Sequence, residues 1–368
     1  MAERLPRYRT KDRAVDQRLV DVLDAVGASV NRDQLFEILV TAVRLATDET
    51  DRLDLKITNA ALKELRYAFK VFAPYRHIPK VTMFGSARTL PDDPLYAQAR
   101  SMAARMAGEG WMVVTGAGPG IMAAGLEGAG RAMSFGINIR LPFEQGANPY
   151  IAADPKLIEM KYFFTRKLAL MKESAAFVVL PGGFGTLDEL LELLTLLQTG
   201  KAEPAPIVCL EVPGGNYWAG WQQFIADEVE PRGLISPEDD CLVYVTDDVT
   251  AALDHIQTFY RNYHSTRYVG DLLVIRLHRA PSEAEIDELS NRFADICVEG
   301  GIEATEALPP EVGDDDVPDL PRIALQFDRM HHGRLRQLID ALNQLPSAPT
   351  EPHRPPDAHD PSAAGLGE

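Results

Sequence analysis

Cysteine is scarce in this sequence, and the few thiols are widely separated. Only Cys209, Cys241 and Cys297 occur among 368 residues, and no CxxC or Cys/His ligand spacing joins them. This spacing disfavours a structural zinc site, and no metal is expected. Three thiols without a pairing pattern suit a reducing compartment, so a cytoplasmic location is expected.

The sequence also lacks a long apolar run and an excess of positive charge. No stretch approaches the roughly 18 apolar residues of a membrane-spanning helix, and the opening MAERLPRYRTKDR lacks the apolar centre of a secretory signal. Lys and Arg number 37 against 54 Asp and Glu, and the formal net charge is −17. Because the basic residues form no dense patch, neither a membrane nor a nucleic-acid partner is expected.

Hydrophobic residues make up 46% of the chain, enough for a sizeable core. Apolar positions at helical spacing predict a helical region over residues 1–76. Over residues 77–260, short apolar strands alternate with helices, which predicts an α/β fold with a Rossmann-like, doubly wound parallel sheet. Residues 261–345 predict a small α+β module of ferredoxin-like character. Residues 346–368 are rich in Pro, Ala and Asp, which predicts a disordered tail. The predicted strands of the parallel sheet are Lys80–Gly85, Trp111–Thr115, Phe135–Leu141, Ala176–Leu180, Ile207–Glu211 and Cys241–Val245.

Three loops follow predicted strands, at the edge where parallel sheets bind their ligands. The second and third loops lead directly into helices, whose first N–H groups and partial positive charge attract a phosphate. A single glycine loop is common in such turns, whereas two glycine-dense loops beside a third strand end favour an anion site. The loops are Gly85-Ser86-Ala87-Arg88, then Thr115–Met122 with Gly116, Gly118 and Gly120, then Pro181–Thr186 with Gly182, Gly183 and Gly185.

The spacing of these glycines disfavours two common nucleotide sites. The dinucleotide fingerprint GxGxxG needs a third glycine where Ile121 stands, and the next strand ends in Ile139-Arg140-Leu141 instead of an acidic residue. No GK[ST] follows either loop, so a Walker A site is not expected. A nucleotide held by one phosphate fits the loops better than a dinucleotide.

The third loop and the helix before it carry a recognisable pattern. PGGFGTLDE matches PGGxGTxxE, and Arg166-Lys167 followed by Met171 matches RKxxxM. Together with the GAGPGIM loop, these motifs resemble the LOG family of cytokinin-activating nucleoside 5′-monophosphate phosphoribohydrolases, which also carry the label lysine decarboxylase-like. The resemblance covers about residues 78–260. It implies a Rossmann-like fold, a dimer or higher homo-oligomer, and hydrolysis of an AMP-like nucleotide to free base and ribose 5-phosphate, with no cofactor.

The resemblance also implies roles for individual residues. Arg166 and Glu189 fall on the catalytic pair of the family. The expected phosphate contacts are Gly182, Gly183, Gly185 and Thr186. The other residues expected to bind substrate come from the first two loops and from the Arg166 helix, and are Gly85, Ser86, Arg88, Thr115, Gly116, Gly118, Gly120 and Lys167.

One position departs from the family pattern, and two residues have simpler structural explanations. Many relatives carry Glu after the GIM triplet, where this chain has Ala123; Glu127, one helical turn later, is the candidate replacement. Thr186 and Glu189 have the spacing of a capping box, in which Glu189 would bond back to the helix start. Arg166, beside Lys167, has the alternative of a solvated helix charge. The resemblance favours the catalytic roles.

Three functional hypotheses follow from these observations. The first is the phosphoribohydrolase, in which a carboxylate near C1′ stabilises the positive charge of the ribose or orients water. The second is a non-catalytic nucleotide sensor or carrier that uses the same loops, favoured by the terminal extensions and by Ala123. The third is a pyridoxal-phosphate lysine decarboxylase, which is disfavoured because no lysine stands out as a Schiff-base candidate.

Overall fold

The computed structural model describes residues 6–140 and 146–357. The chain divides into two units, Met1–Glu64 and Leu65–Glu368. The division falls inside a long helix, Arg52–Phe72, whereas the sequence placed a domain boundary after that helix, at residue 76. The helix therefore runs across the point at which the two units separate.

The first unit is helical, as the apolar spacing predicted. Its first helix begins after Asp12, whose carboxylate accepts the N–H groups of Ala14 and Val15. This cap satisfies two of the N–H groups that every helix start leaves without a partner. A small core of Leu23, Phe36 and Val40 joins the first two helices. The helices that begin in this unit are α1 (Arg13–Ala25), α2 (Arg32–Thr47) and α3 (Arg52–Phe72).

The second unit contains the predicted Rossmann-like parallel sheet, which is confirmed. Its seven strands are all parallel, in the order β4-β3-β2-β1-β5-β6-β7. The chain moves outward from β1 to β4 and then returns to the other side of β1, so the strand order reverses between β1 and β5. Parallel sheets bind ligands beyond the carboxyl ends of the strands at such a switch point. The strands are β1 (Lys80–Phe84), β2 (Met112–Thr115), β3 (Ser134–Ile139), β4 (Leu157–Met160), β5 (Ala176–Val179), β6 (Ile207–Leu210) and β7 (Val243–Thr246).

Helices cover both faces of this sheet. On β5, Ala176 and Val178 belong to one hydrophobic core, and Phe177 and Val179 belong to another. Successive residues of a strand point to opposite faces, so the apolar run of β5 is explained by burial on both sides. The covering helices are α4 (Pro94–Gly108), α5 (Ile121–Ala129), α6 (Phe163–Lys172), α7 (Phe184–Gln198), α8 (Tyr217–Phe224) and α9 (Val249–Phe259).

The predicted α+β module is confirmed as a four-stranded antiparallel sheet with helices, in the strand order β10-β11-β9-β8. It opens with a hairpin of β8 and β9, and the sequence missed β8. The hairpin gives an element order that differs from the βαββαβ order of the ferredoxin-like module that was predicted. The elements are β8 (Tyr263–Val269), β9 (Leu272–Leu277), α10 (Glu283–Arg292), β10 (Glu303–Thr305), α11 (Pro309–Gly313), β11 (Arg322–Leu325) and α12 (His332–Gln344).

The antiparallel sheet shares its core with the parallel one. Leu273 and Ile275 of β9 belong to the same buried cluster as Val81 of β1 and Val178 of β5. The predicted boundary between residues 260 and 261 therefore divides one continuous hydrophobic core. Because both sheets bury apolar surface in that core, each contributes to the stability of the other.

The segment after α12 is packed over the part that the structure describes. Ala348 is buried, and the N–H of His353 donates to the carbonyl of Tyr260 at 3.1 Å. His77, just before β1, pairs with Asp357. These contacts give the first half of the predicted disordered tail an ordered course, which the composition did not indicate. The remainder of that tail, residues 358–368, lies outside the described residues.

Candidate functional site

The three predicted loops meet at the switch point between β1 and β5. The N–H of Ser86 donates to the carbonyl of Pro181 at 3.3 Å, which joins the first loop to the third. The N–H of Ile121 donates to the carbonyl of Ser86 at 3.0 Å, which joins the first loop to the start of α5. The exposed Arg88 lies on the same first loop. The structure thus brings the three glycine loops to one edge of the sheet.

Two glycines in the second loop are required by close neighbours. Gly120 has a φ of 66°, and a Cβ there would overlap the backbone of Ser86. A Cβ on Gly116 would overlap the guanidinium of Arg166 and the sulfur of Met122. The absence of a side chain at Gly116 therefore lets the Arg166 side chain lie against the loop.

The second loop is fixed from both sides by buried polar groups. The side-chain amide of Asn148 donates to the carbonyls of Ala117 and Gly118, at 3.0 and 2.9 Å. Thr115 is fully buried, and its hydroxyl donates to the carbonyl of Met122 at 3.3 Å. The structure thus places Thr115 beneath the loop, where it supports the loop, and not at the surface where the predicted substrate contact would need it.

The third loop ends at the beginning of α7. Its geometry tests whether Glu189 is part of a capping box. The helix begins at Phe184 with Gly183 as its N-cap, and no side chain caps it. Thr186 is therefore the third residue of the helix and Glu189 the sixth, so the capping-box alternative is wrong. The first N–H groups of α7 remain open at the loop, as expected at a helix start with no side-chain cap.

Arg166 and Glu189 come together between α6 and α7. The Arg166 Nη1 lies 3.4 Å from the Glu189 Oε1, and the two side chains are only 10% and 12% exposed. The Arg166 Nε also donates to the carbonyl of Ile137, within β3, at 2.9 Å. Such burial contradicts the alternative that Arg166 is a solvated helix charge. The structure thus forms the predicted pair from two separate helices.

Lys167, the neighbour of Arg166, points to a different pair of acids. Its ammonium lies 3.1 Å from Asp188 and also pairs with Glu192. Both acids lie on α7, so Lys167 links α6 to α7 on the side where those acids are partly exposed. The geometry gives Lys167 a bridging position beside the Arg166–Glu189 pair.

The burial of Glu189 changes its acidity. Loss of contact with water raises the pKa of its carboxyl from the ordinary 4.5 to about 7, and the positive charge of Arg166 opposes part of that rise. A carboxyl with this pKa is partly protonated and partly ionised near neutral pH. General acids and bases are most effective when their pKa lies near the working pH.

The raised pKa predicts a pH-dependent stability difference between the wild type and Glu189→Gln. Between about pH 4.5 and 7, the unfolded carboxyl has lost its proton while the folded one retains it, so wild-type stability falls as pH rises. Glu189→Gln has no carboxyl at this position, so its stability does not fall for this reason. We expect the free energy of unfolding of Glu189→Gln, relative to that of the wild type, to increase by about 3 kcal/mol between these two pH values, measured by urea unfolding. Glu192→Gln is the control. A stability difference between Glu189→Gln and the wild type that is the same at pH 4.5 and pH 7 would contradict the prediction.

Glu127 does not take the place of the family's missing Glu. Its carboxylate accepts hydrogen bonds from the hydroxyls of Tyr96 and Tyr150, at 2.8 and 3.0 Å, and from Arg100 at 3.1 Å. These three hydrogen bonds give the Glu127 carboxylate a structural role. Ala123 is 8% exposed and lies in the core. The position that carries Glu in many relatives therefore brings no acid to the loops in this chain.

Sequence reasoning missed two residues that support the loops. Asn148 holds the second loop, and Tyr217, the first residue of α8, donates its hydroxyl to the carbonyl of Gly182 at 2.7 Å. Neither belongs to a motif that was recognised, and each is distant in the sequence from the loop it contacts. Only the three-dimensional contact identifies them.

Among the helices of residues 6–140 and 146–357, none combines the length and the apolar character that a membrane span needs. No three His, Cys, Asp or Glu side chains there are grouped as ligands of a metal ion.

The fold and the loops define a Rossmann-like α/β protein with glycine loops at its topological switch point. Residues 119–256 match the family described as "Possible lysine decarboxylase". This range contains the GIM triplet, the RKxxxM helix and PGGFGTLDE. The similarity to the LOG family that the motifs predicted is confirmed over this part of the chain.

The curated relatives match the same region. A probable cytokinin riboside 5′-monophosphate phosphoribohydrolase of Oryza sativa subsp. japonica is 36% identical over 99 residues, which is 27% of this chain and 44% of the relative. A cytokinin riboside 5′-monophosphate phosphoribohydrolase of Arabidopsis thaliana is 46% identical over 72 residues, which is 20% of this chain and 32% of the relative. The chain thus spans less than half the length of the curated relatives it matches.

Solved structures also resemble part of the chain. A molybdenum cofactor binding protein from Rippkaea orientalis has 19% identity and a TM-score of 0.36, over 48% of this chain and 94% of its own. A molybdenum cofactor carrier protein from Chlamydomonas reinhardtii has 22% identity and a TM-score of 0.35, over the same shares, 48% and 94%.

Proposed function

We propose that this chain hydrolyses the N-glycosidic bond of a nucleoside 5′-monophosphate, giving a free base and ribose 5-phosphate. The observation that carries the proposal is the buried Arg166–Glu189 pair beside the uncapped start of α7. The names of the curated relatives, which are phosphoribohydrolases, support the same reaction.

The phosphate of the substrate would bind where the three loops meet. At the start of α7, Gly183 and Gly185 leave room for an anion, because neither carries a side chain. The open N–H groups and the helix dipole favour a negative charge at this point. Glu189 follows in the second turn of the same helix, and would face the ribose. Arg88 and the second loop complete the proposed binding site.

Glu189 would act on the bond between C1′ and the base. As that bond breaks, positive charge builds on the ribose, and a nearby carboxylate stabilises it. The same carboxylate accepts a proton from the attacking water, whose oxygen bonds to C1′ while the base leaves with the bonding electrons and takes up a proton. Arg166 would keep the carboxylate oriented and limit the rise in its pKa. No step requires a metal or a cofactor.

A nucleotide sensor or carrier is the second candidate. The specific observation in its favour is the absence of an acid at Ala123, together with the structural hydrogen bonds that occupy Glu127. A protein with these loops and a weakened catalytic site would still bind a nucleoside monophosphate.

Incubation with AMP, GMP, CMP and UMP separates the two candidates. We expect free base and ribose 5-phosphate in equal amounts from at least one nucleotide, measured by chromatography. Binding of a nucleotide without release of base would favour the carrier. Neither binding nor release would contradict both.

The predicted homo-oligomer and cytoplasmic location remain part of this proposal. On the neighbouring helices α6 and α7, Phe164, Leu168 and Leu191 are 54%, 45% and 48% exposed. Exposed apolar side chains on adjacent helices commonly mark a contact surface. A second copy of the chain is the partner we propose for them.

A further inference from the structure

Tyr217 is held rigidly against the third loop. Its hydroxyl donates to the carbonyl of Gly182 at 2.7 Å. Its ring meets that of Trp218, which is fully buried, at 4.8 Å in an edge-on arrangement. Its N–H donates to the carboxylate of Glu211 at 3.0 Å. The hydroxyl is therefore fixed by ring packing and by the backbone.

The carbonyl that Tyr217 holds belongs to the peptide between two glycines. Gly182 and Gly183 have no side chains to restrict that peptide, so its plane can turn at low cost. In a planar trans peptide, the C=O of Gly182 and the N–H of Gly183 point in opposite directions. Holding the carbonyl on the Tyr217 side therefore turns the N–H of Gly183 away from α8.

The N–H of Gly183 lies at the N-terminal end of α7. Gly183 is exposed and is the N-cap of the helix. Across residues 6–140 and 146–357, no backbone hydrogen bond from this N–H is formed with another loop. An N–H that is open, fixed in direction and placed at a helix start is suited to an anion.

We propose that Tyr217 is a positioning residue that directs the N–H of Gly183 toward the phosphate of the substrate. This inference rests on the proposed function, because it assigns the phosphate to the start of α7. Tyr217 contacts neither the substrate nor the reacting bond, and it acts through the Gly182–Gly183 peptide. Removing the hydroxyl weakens the recognition of the phosphate and leaves the chemistry of Glu189 in place.

The test compares Tyr217→Phe with Tyr260→Phe. The hydroxyl of Tyr260 donates to the carbonyl of Ala175 at 2.7 Å, a matched hydrogen bond just before β5, at the opposite edge of the sheet from the loops. Binding of AMP and of adenosine is measured by calorimetry, and base release from AMP by steady-state kinetics. Thermal unfolding of both variants verifies that each is folded.

We expect Tyr217→Phe to raise the Kd and the KM for AMP by about 10-fold, with kcat within about 2-fold of the wild type. Binding of adenosine, which lacks the phosphate, is unchanged, and Tyr260→Phe retains wild-type values. An unchanged Kd for AMP in Tyr217→Phe would overturn the inference, as would an equal loss for AMP and adenosine. If the wild type binds AMP without releasing base, the proposed reaction fails, and the two Kd values still decide the role of Tyr217.

Discussion

Glu189→Gln is expected to lower kcat for base release by about 10²- to 10⁴-fold. The amide has nearly the shape of the carboxyl, but it neither accepts the proton of water nor balances positive charge on the ribose. Because the phosphate would bind at the start of α7, the Kd for AMP should change by less than about 3-fold. Single-turnover kinetics and calorimetry measure the two quantities separately.

Glu192→Gln provides the matched control on the same helix. Glu192 lies one turn further along α7 and pairs with Lys167, so the substitution removes a comparable charge. It should retain most of the activity. A wild-type kcat in Glu189→Gln would show that a different group performs the reaction.

Arg166→Met is expected to move the pH dependence of kcat/KM toward alkaline values. In the wild type, the rate should rise with pH through about 7, as Glu189 becomes a carboxylate. The positive charge of Arg166 lowers that pKa, and loss of an adjacent opposite charge typically changes a pKa by about 1 to 3 units. The rate at pH 7 should therefore fall by about 10-fold or more, and part of it should return at higher pH.

Two further variants make the Arg166 result specific. Lys172→Met removes a positive charge from the last residue of the same helix and should leave the profile unchanged. Arg166→Lys retains a positive charge and should move the midpoint less than Arg166→Met does. An identical midpoint in Arg166→Met and the wild type would contradict the role of Arg166.

The parts of the site that the sequence predicted are those encoded in continuous motifs. The buried run of β5 and the PGGFGTLDE segment after it placed the third loop correctly. The third loop was predicted to extend to Thr186, whereas α7 already begins at Phe184; the capping-box spacing of Thr186 and Glu189 favoured the later start. The N-cap in the structure is Gly183, which has no side chain, so the sequence carries no capping signal at the place where the helix begins.

The missed elements have a different physical origin. In β4, Leu157 and Glu159 are not buried, as befits a sheet edge, so it lacks an apolar run. In β8, Ser265 and Thr266 are buried polar residues, and Thr266 donates to Glu203 at 2.7 Å. Such residues interrupt a hydrophobic pattern although they lie inside the protein. Their partners come from distant parts of the chain, and local sequence carries no sign of them.

The return of the chain to His77 has a practical consequence. Asp357 pairs with His77 and lies near Lys80. Burial lowers the pKa of the Lys80 amine to about 8, and the negative charges of Glu173 and Asp357 oppose part of that fall. Lys80 begins β1, whereas the glycine loops follow the far ends of the strands. A fluorescent or affinity label attached at residue 357 would therefore emerge from the opposite side of the sheet, leaving clear the edge that carries the glycine loops.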